Sequence, residues 1–168
     1  MSADVPELLD AWRMVAARRV FEGRLPLAAM PRLADQLVDC DGEVAFALEF
    51  DRDALTVAYV ELRIDTALPL QCQRSLQRFL YPVRIVQRLG LIRDEADDAA
   101  LPEGYEALLL AEDGELRPAE LIEDELILAI PVVPVMPGSD AVQRDWPVTA
   151  DEETRANPFS ALAVLKKH

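Results

Sequence analysis

Histidine is almost missing from this chain: there is one, His168, at the last position. Chemistry that needs an imidazole base, or two imidazole ligands on one scaffold, is therefore not expected. Cysteine is nearly as scarce. Cys40 and Cys72 are the only two, too few for a disulfide framework or a four-thiolate zinc site. Glycines are few, and Gly90, Gly104 and Gly114 are isolated, so no glycine-rich phosphate loop is present. No stretch of about 18 apolar residues occurs. The longest uncharged run, Leu126 to Ser139, is interrupted by Pro131, Pro134 and Pro137, which excludes a spanning helix. The run MSADVPELLDAW carries acids where an export signal needs a basic segment, so a cytoplasmic location and no membrane partner are expected.

What is present describes an acidic globular protein. At 168 residues the chain has the length of one domain, and 51% apolar with 29% charged residues is too apolar for wholesale disorder. The net charge of -14 opposes nonspecific binding to nucleic acid. That average conceals a division. Met1 to Arg93 holds 12 arginines against 13 acids, whereas Asp94 to His168 holds 18 acids against three arginines and two lysines. Within the first part, Arg63, Arg74, Arg78, Arg84, Arg88 and Arg93 face one acid, Asp65, in their own window. Arginine forks suit phosphate, while outward arginines are also common on the solvated face of a sheet.

Periodicity predicts an α+β domain: an antiparallel sheet with helices on one face. Leu8, Leu9, Trp12, Val15 and Ala16 have helical spacing within Pro6 to Val20, giving an N-terminal helical extension over 1–18. Arg19 to Leu25 reads as extended, and Leu27 to Val38 as a second helix that tolerates Pro31 only near its start. Val44, Phe46, Leu48 and Phe50 alternate with polar or small residues as a strand. Asp51 to Ala54 is a turn, and Leu55 to Thr66 returns antiparallel. Pro69 to Ser75 breaks the pattern before Arg78 to Ile92 resumes it. There Phe79, Tyr81, Val83 and Ile85 take the core side, Arg78, Arg84 and Arg88 the other, and Pro82 marks an edge or bulge. Asp94 to Glu103 is an acidic loop, Tyr105 to Ala111 a short strand, and Pro118 to Ile130 a helix with acids in its first turns, stopped by Pro131. A proline-rich tail over 131–156, with Trp146 as an anchor, precedes a terminal helix over 157–166 capped by Asn157 and Pro158.

Three segments resemble the YceD-like family, the large ribosomal RNA subunit accumulation proteins. They are Leu70-Gln71-Cys72-Gln73-Arg74-Ser75, Leu101 to Glu106 followed by the acidic helix and its Pro131-x-x-Pro134 exit, and Asn157-Pro158-Phe159 leading into the last helix. The resemblance implies a role in synthesis, processing or stability of 23S ribosomal RNA. It also implies, in many relatives, a zinc clasp built from a Cys-x-x-Cys pair and further Cys or His beyond the proline exit. Here Ser75 stands at the second cysteine position and Pro134 to Ala141 supplies neither Cys nor His. Cys72 alone cannot hold zinc, so no metal or cofactor is expected. Arg117 occupies the place of an N-capping Asp.

No nucleophile, acid and base set is legible, so no catalytic residue is assigned and the chain reads as a non-catalytic ribosome-biogenesis factor. Its expected contact with 23S precursor RNA or ribonucleoprotein runs through Arg63, Arg74, Arg78, Arg84, Arg88 and Arg93. The rival is an acidic adaptor that holds a basic ribosomal protein or an RNA-processing enzyme through Glu120, Glu123, Asp124 and Glu125. Consecutive acids diverge around a helix, so the same group also reads as a solvated face.

Overall fold

The computed structural model describes residues 6–139. The tail beyond 139, Trp146 and the terminal helix lie outside the described residues. A five-stranded sheet organises the rest, in the order β2 (Val20–Pro26), β3 (Glu43–Arg52), β4 (Ala58–Gln71), β5 (Arg78–Ile92), β6 (Tyr105–Leu109), with β1 (Leu9–Asp10) and β7 (Glu115–Leu116) forming a separate two-stranded ladder. The helices are α1 (Ala11–Ala16), α2 (Pro31–Ala34) and α3 (Pro118–Ala129). The α+β class follows from the strand alternation: one face of each long strand is apolar and must be covered.

The core lies on that face. Phe46 opposes Ile64, Leu48 opposes Leu62 and Phe50 opposes Val60, all buried. Ala11 and Val15 of α1, Leu121, Ile122 and Leu126 of α3, and the segment Leu27, Met30, Leu33 close over them. Phe21 meets Phe50 edge-on at 6.1 Å. Phe79 is buried and Tyr81 packs against the core, as their parity required.

Several boundaries differ from the periodic reading. The helix expected over Pro6 to Val20 is confined to Ala11–Ala16, because Leu9 and Asp10 pair with Leu116 and Glu115. Asp10 instead caps the helix through Arg13 N at 3.0 Å, and Arg18, at φ 47°, ends it. The second expected helix is a short 3₁₀ turn at Leu27–Ala29 followed by α2, split at Met30, which precedes Pro31 and lies outside the helical region at φ -116°, ψ 87°. Before β4, Asp53 accepts from the N–H groups of Leu55 and Val57, each at 2.9 Å, so the strand starts at Ala58 rather than Leu55. It also continues through Pro69 to Gln71. Among the described residues the β3 ladder ends at Asp65, beyond which β4 is met on that side only by Glu43 O, bonded to Thr66 Oγ1, and by Val38 N, which donates to Pro69 O at 3.0 Å, and β6 pairs only with Arg88 to Ile92. The distal β4–β5 hairpin is thus a two-stranded arm, which is where the sheet tolerates both Pro69 and Pro82. The acidic segment after β5 forms a 3₁₀ turn, Glu95–Ala100, capped by Asp94. It carries the chain across so that β6 runs parallel to β5, not antiparallel as expected.

Candidate functional site

Helices cover one face of the sheet, and among the described residues no helix packs on the other across β3, β4 and β5. Register reads that outer face in rows: Glu49, Glu61 and Arg88; then Ala47, Arg63 and Val86; then Ala45, Asp65 and Arg84. Val86 is 66% exposed and forms an apolar patch with Ala45 and Ala47. At the β6 end, Tyr59 and Tyr105 meet edge-on at 5.9 Å, and the Arg88 guanidinium lies 5.4 Å from the Tyr59 ring centre. Leu101 folds onto the same face over Gly90, where a Cβ would clash with it.

Of the six arginines singled out from the sequence, the structure brings three together: Arg63, Arg84 and Arg88. Arg84 donates through Nε and Nη2 to Asp65 Oδ2 at 3.0 and 2.8 Å. Arg88 donates to Glu61 Oε2 at 2.9 Å, and Arg63 contacts both Glu61 and Glu49. The hydrogen bond from Arg88, and then that from Arg63, hold the Glu61 carboxyl below its ordinary range against the opposing effect of its burial. The remaining three diverge. Arg78 bends to Asp39 at the arm, Arg74 stands exposed in the turn after β4, and Arg93 lies over Trp12 at 4.7 Å. A window along the chain counts one acid here; the folded face supplies Glu49 and Glu61 as well, and the segment before β3 brings Asp39 to Arg78. The hairpin pairing of Glu43 to Phe50 with the following strand was the signal for Glu49 and Glu61. Nothing local pointed to Asp39.

The acidic candidates separate in the same way. Glu123 is not a solvated carboxylate available to a partner: it is buried, 4% exposed. Its Oε1 accepts from the backbone N–H groups of Arg32 and Leu33 at 2.7 and 3.1 Å, and its Oε2 from Arg32 Nε at 2.9 Å. It therefore caps α2 from across the core, doing for that helix what Met30, without a capping side chain, cannot. Asp124 completes the grip on Arg32 at 2.6 Å. Glu120 lies exposed in the first turn of α3, 3.8 Å from Arg117, which occupies the N-cap position without a side-chain cap. Burial, then Glu106 and Asp124, push the Glu125 carboxyl up.

At the tip of the arm, Cys72 is fully buried. Its sulfur accepts from Ser75 N at 3.4 Å and Met136 N at 3.3 Å, and Ser139 Oγ lies 3.4 Å away. Gln73 N donates to Pro134 O at 2.9 Å. Burial alone would push this thiol up, but the Ser139 and Ser75 side chains and the Met136 and Ser75 N–H groups outweigh it and bring it down to about 6. Where many relatives are implied to carry a zinc clasp, the segment after the proline exit is held here to the hairpin tip by hydrogen bonds around one sulfur. That donor set does not fit zinc, which needs four lone-pair ligands. Among the described residues no three Cys, His, Asp or Glu side chains converge as a metal cluster.

Together these features define an α+β protein with a half-covered five-stranded sheet, an outer face laddered with arginine and carboxylate, and the segment 134–139 tied to a hairpin tip. The family described as "Large ribosomal RNA subunit accumulation protein YceD" matches residues 60–166. A relative from Haemophilus influenzae, the large ribosomal RNA subunit accumulation protein YceD, is 30% identical over 172 residues, covering 97% of this chain and 97% of its own. The chain belongs to this family of large ribosomal RNA subunit accumulation proteins. No solved structure matches it.

Proposed function

We propose that this chain supports accumulation of large-subunit ribosomal RNA as a non-catalytic factor, by docking onto the 23S precursor or its ribonucleoprotein through the open face of the sheet. The observation that carries the reading is the bare outer face of β3 to β5, on which Arg63, Arg84 and Arg88 stand together in solvent, their side chains 51%, 80% and 51% exposed. Exposed ion pairs contribute only about 0–1 kcal/mol each. Exchanging a carboxylate for a phosphate oxygen on the same guanidinium is therefore inexpensive, and the fork geometry suits both.

The interleaved carboxylates have a consequence. Each arginine that turns to phosphate leaves an acid behind, so the face recognises a shaped ribonucleoprotein and does not act as a long-range electrostatic trap. The expected dependence of log affinity on log salt is shallow, with a slope of roughly -1 to -3. The test compares the parent with Arg63→Gln/Arg84→Gln/Arg88→Gln in pull-downs from growing cells, split into nuclease-treated and untreated halves. Loss of 23S precursor from the triple variant, with an unchanged melting profile, supports the reading. Undiminished recovery of precursor rejects it.

A further inference from the structure

The sheet's last strand leaves a second surface, remote in kind from the arginine ladder. Among the described residues β6 has no neighbour beyond β5. Leu110 N donates to Ile92 O at 3.0 Å. By the alternation of a parallel ladder, Glu106 and Leu108 direct their backbone groups to β5 in the same way, while Ala107 and Leu109 present theirs to the outside. Beside this edge lies a groove of about 320 Å³ between β6 and α3. Its floor includes Leu108, Leu110 and Leu121, and its walls carry three carboxylates, Glu115, Glu120 and Asp124, against one cation, Arg117. Leu109 is 49% exposed at the rim.

The surrounding charge is predominantly negative. Asp94 to Ile130 holds 13 acids against the single basic residue Arg117. Among the described residues Glu106, Glu112, Glu115 and Glu125 have no cation within salt-bridge distance, whereas Asp124 is engaged by Arg32 and Glu120 by Arg117 at the exposed rim. The upward push on Glu125 from burial and from Glu106 shows the same lack of compensating charge.

We infer that this groove binds an extended lysine- or arginine-rich peptide segment of a protein partner, which adds as a strand to the edge of β6 and sets its cationic side chains among the carboxylates. The chemistry follows from the surface: an open strand edge takes main-chain hydrogen bonds, and the walls choose the sign of the side chains. The inference is independent of the arginine face, since no residue is shared.

The test uses the full chain and a labelled synthetic peptide alternating lysine with threonine, against the same peptide N-methylated on alternate backbone amides. Anisotropy gives the affinity, and amide NMR shifts give the location. The expected result is that N-methylation weakens binding about tenfold, by removing strand hydrogen bonds at constant charge. The variant Glu115→Lys/Glu120→Lys weakens it comparably, Arg63→Gln/Arg84→Gln/Arg88→Gln leaves it unchanged, and the Ala107 and Leu109 amides shift. Equal affinity for both peptides would reduce the surface to charge alone and overturn the inference. So would loss of binding in the arginine variant, or a single-stranded RNA oligonucleotide that moves the Ala107 and Leu109 amides in place of the peptide. Glu115→Gln/Glu120→Gln, milder toward folding, should give an intermediate loss, and full affinity there would also overturn it.

Discussion

Glu123 shows how much one side chain can carry. Three donors converge on a carboxylate that is almost completely buried, so removing it strands two backbone N–H groups and leaves the half-exposed Arg32 guanidinium to Asp124 alone. Glu123→Ala should cost about 2–4 kcal/mol in chemical denaturation, and Glu123→Gln somewhat less, because the amide oxygen still accepts. Burial pushes its pKa up, but the Leu33 and Arg32 hydrogen bonds win and hold the folded value below 4.5. Its contribution is therefore complete above the unfolded value and is lost as pH falls through the lower folded one; melting temperature followed from neutrality into acid should drop there in the parent and not in Glu123→Ala. Cys72 has the same sign over a different interval. With the thiol brought from 9.0 to about 6, the clasp gains strength as pH rises from about 6 toward 9. Cys72→Ser should lose that part of the pH dependence of melting while keeping the fold.

At the scale of elements, the β1–β7 ladder has a sharp test. Gly114 sits at φ 72° with its missing Cβ aimed into the Trp12 ring, and its carbonyl accepts from Ala11 N at 2.9 Å. Gly114→Ala imposes both a left-handed alanine and a ring displacement, and should cost about 2 kcal/mol or more by urea unfolding. This ladder also shows where sequence stops being legible. Leu8, Leu9 and Trp12 fit a helical face, and only a partner more than a hundred residues away turns Leu9 and Asp10 into strand. The long strands were readable because alternation is local, and Arg78 to Ile92 keeps its bounds. The sense of β6 was not, since a short strand carries the same pattern in either direction. The split at Met30 was readable in principle from the proline that follows it. The arginines were legible as a row, whereas Glu49, Glu61 and Asp39, which neutralise them, required register and tertiary placement.

For the molecule as a whole, the charge division becomes spatial. The outer sheet face is close to balanced, while the β6–α3 flank concentrates the excess of acids. Repulsion there opposes folding and is screened by salt. Raising sodium chloride from low ionic strength to about 0.5 M should raise the melting temperature by about 2–5 °C, even though the surface ion pairs are weakened by the same change; a fall would mean the ladder of pairs outweighs the repulsion on the flank.

The contact between Cys72 and residues 136–139 spans 64 to 67 positions of sequence. During synthesis the arm, the sheet and α3 have all their own residues before the segment that wraps the sulfur has left the translating ribosome. On a sheet assembled before that point Cys72 is expected to be an uncovered thiol, and its protection from a thiol-reactive label, followed on stalled nascent chains of increasing length, would report when residues 136–139 close over it.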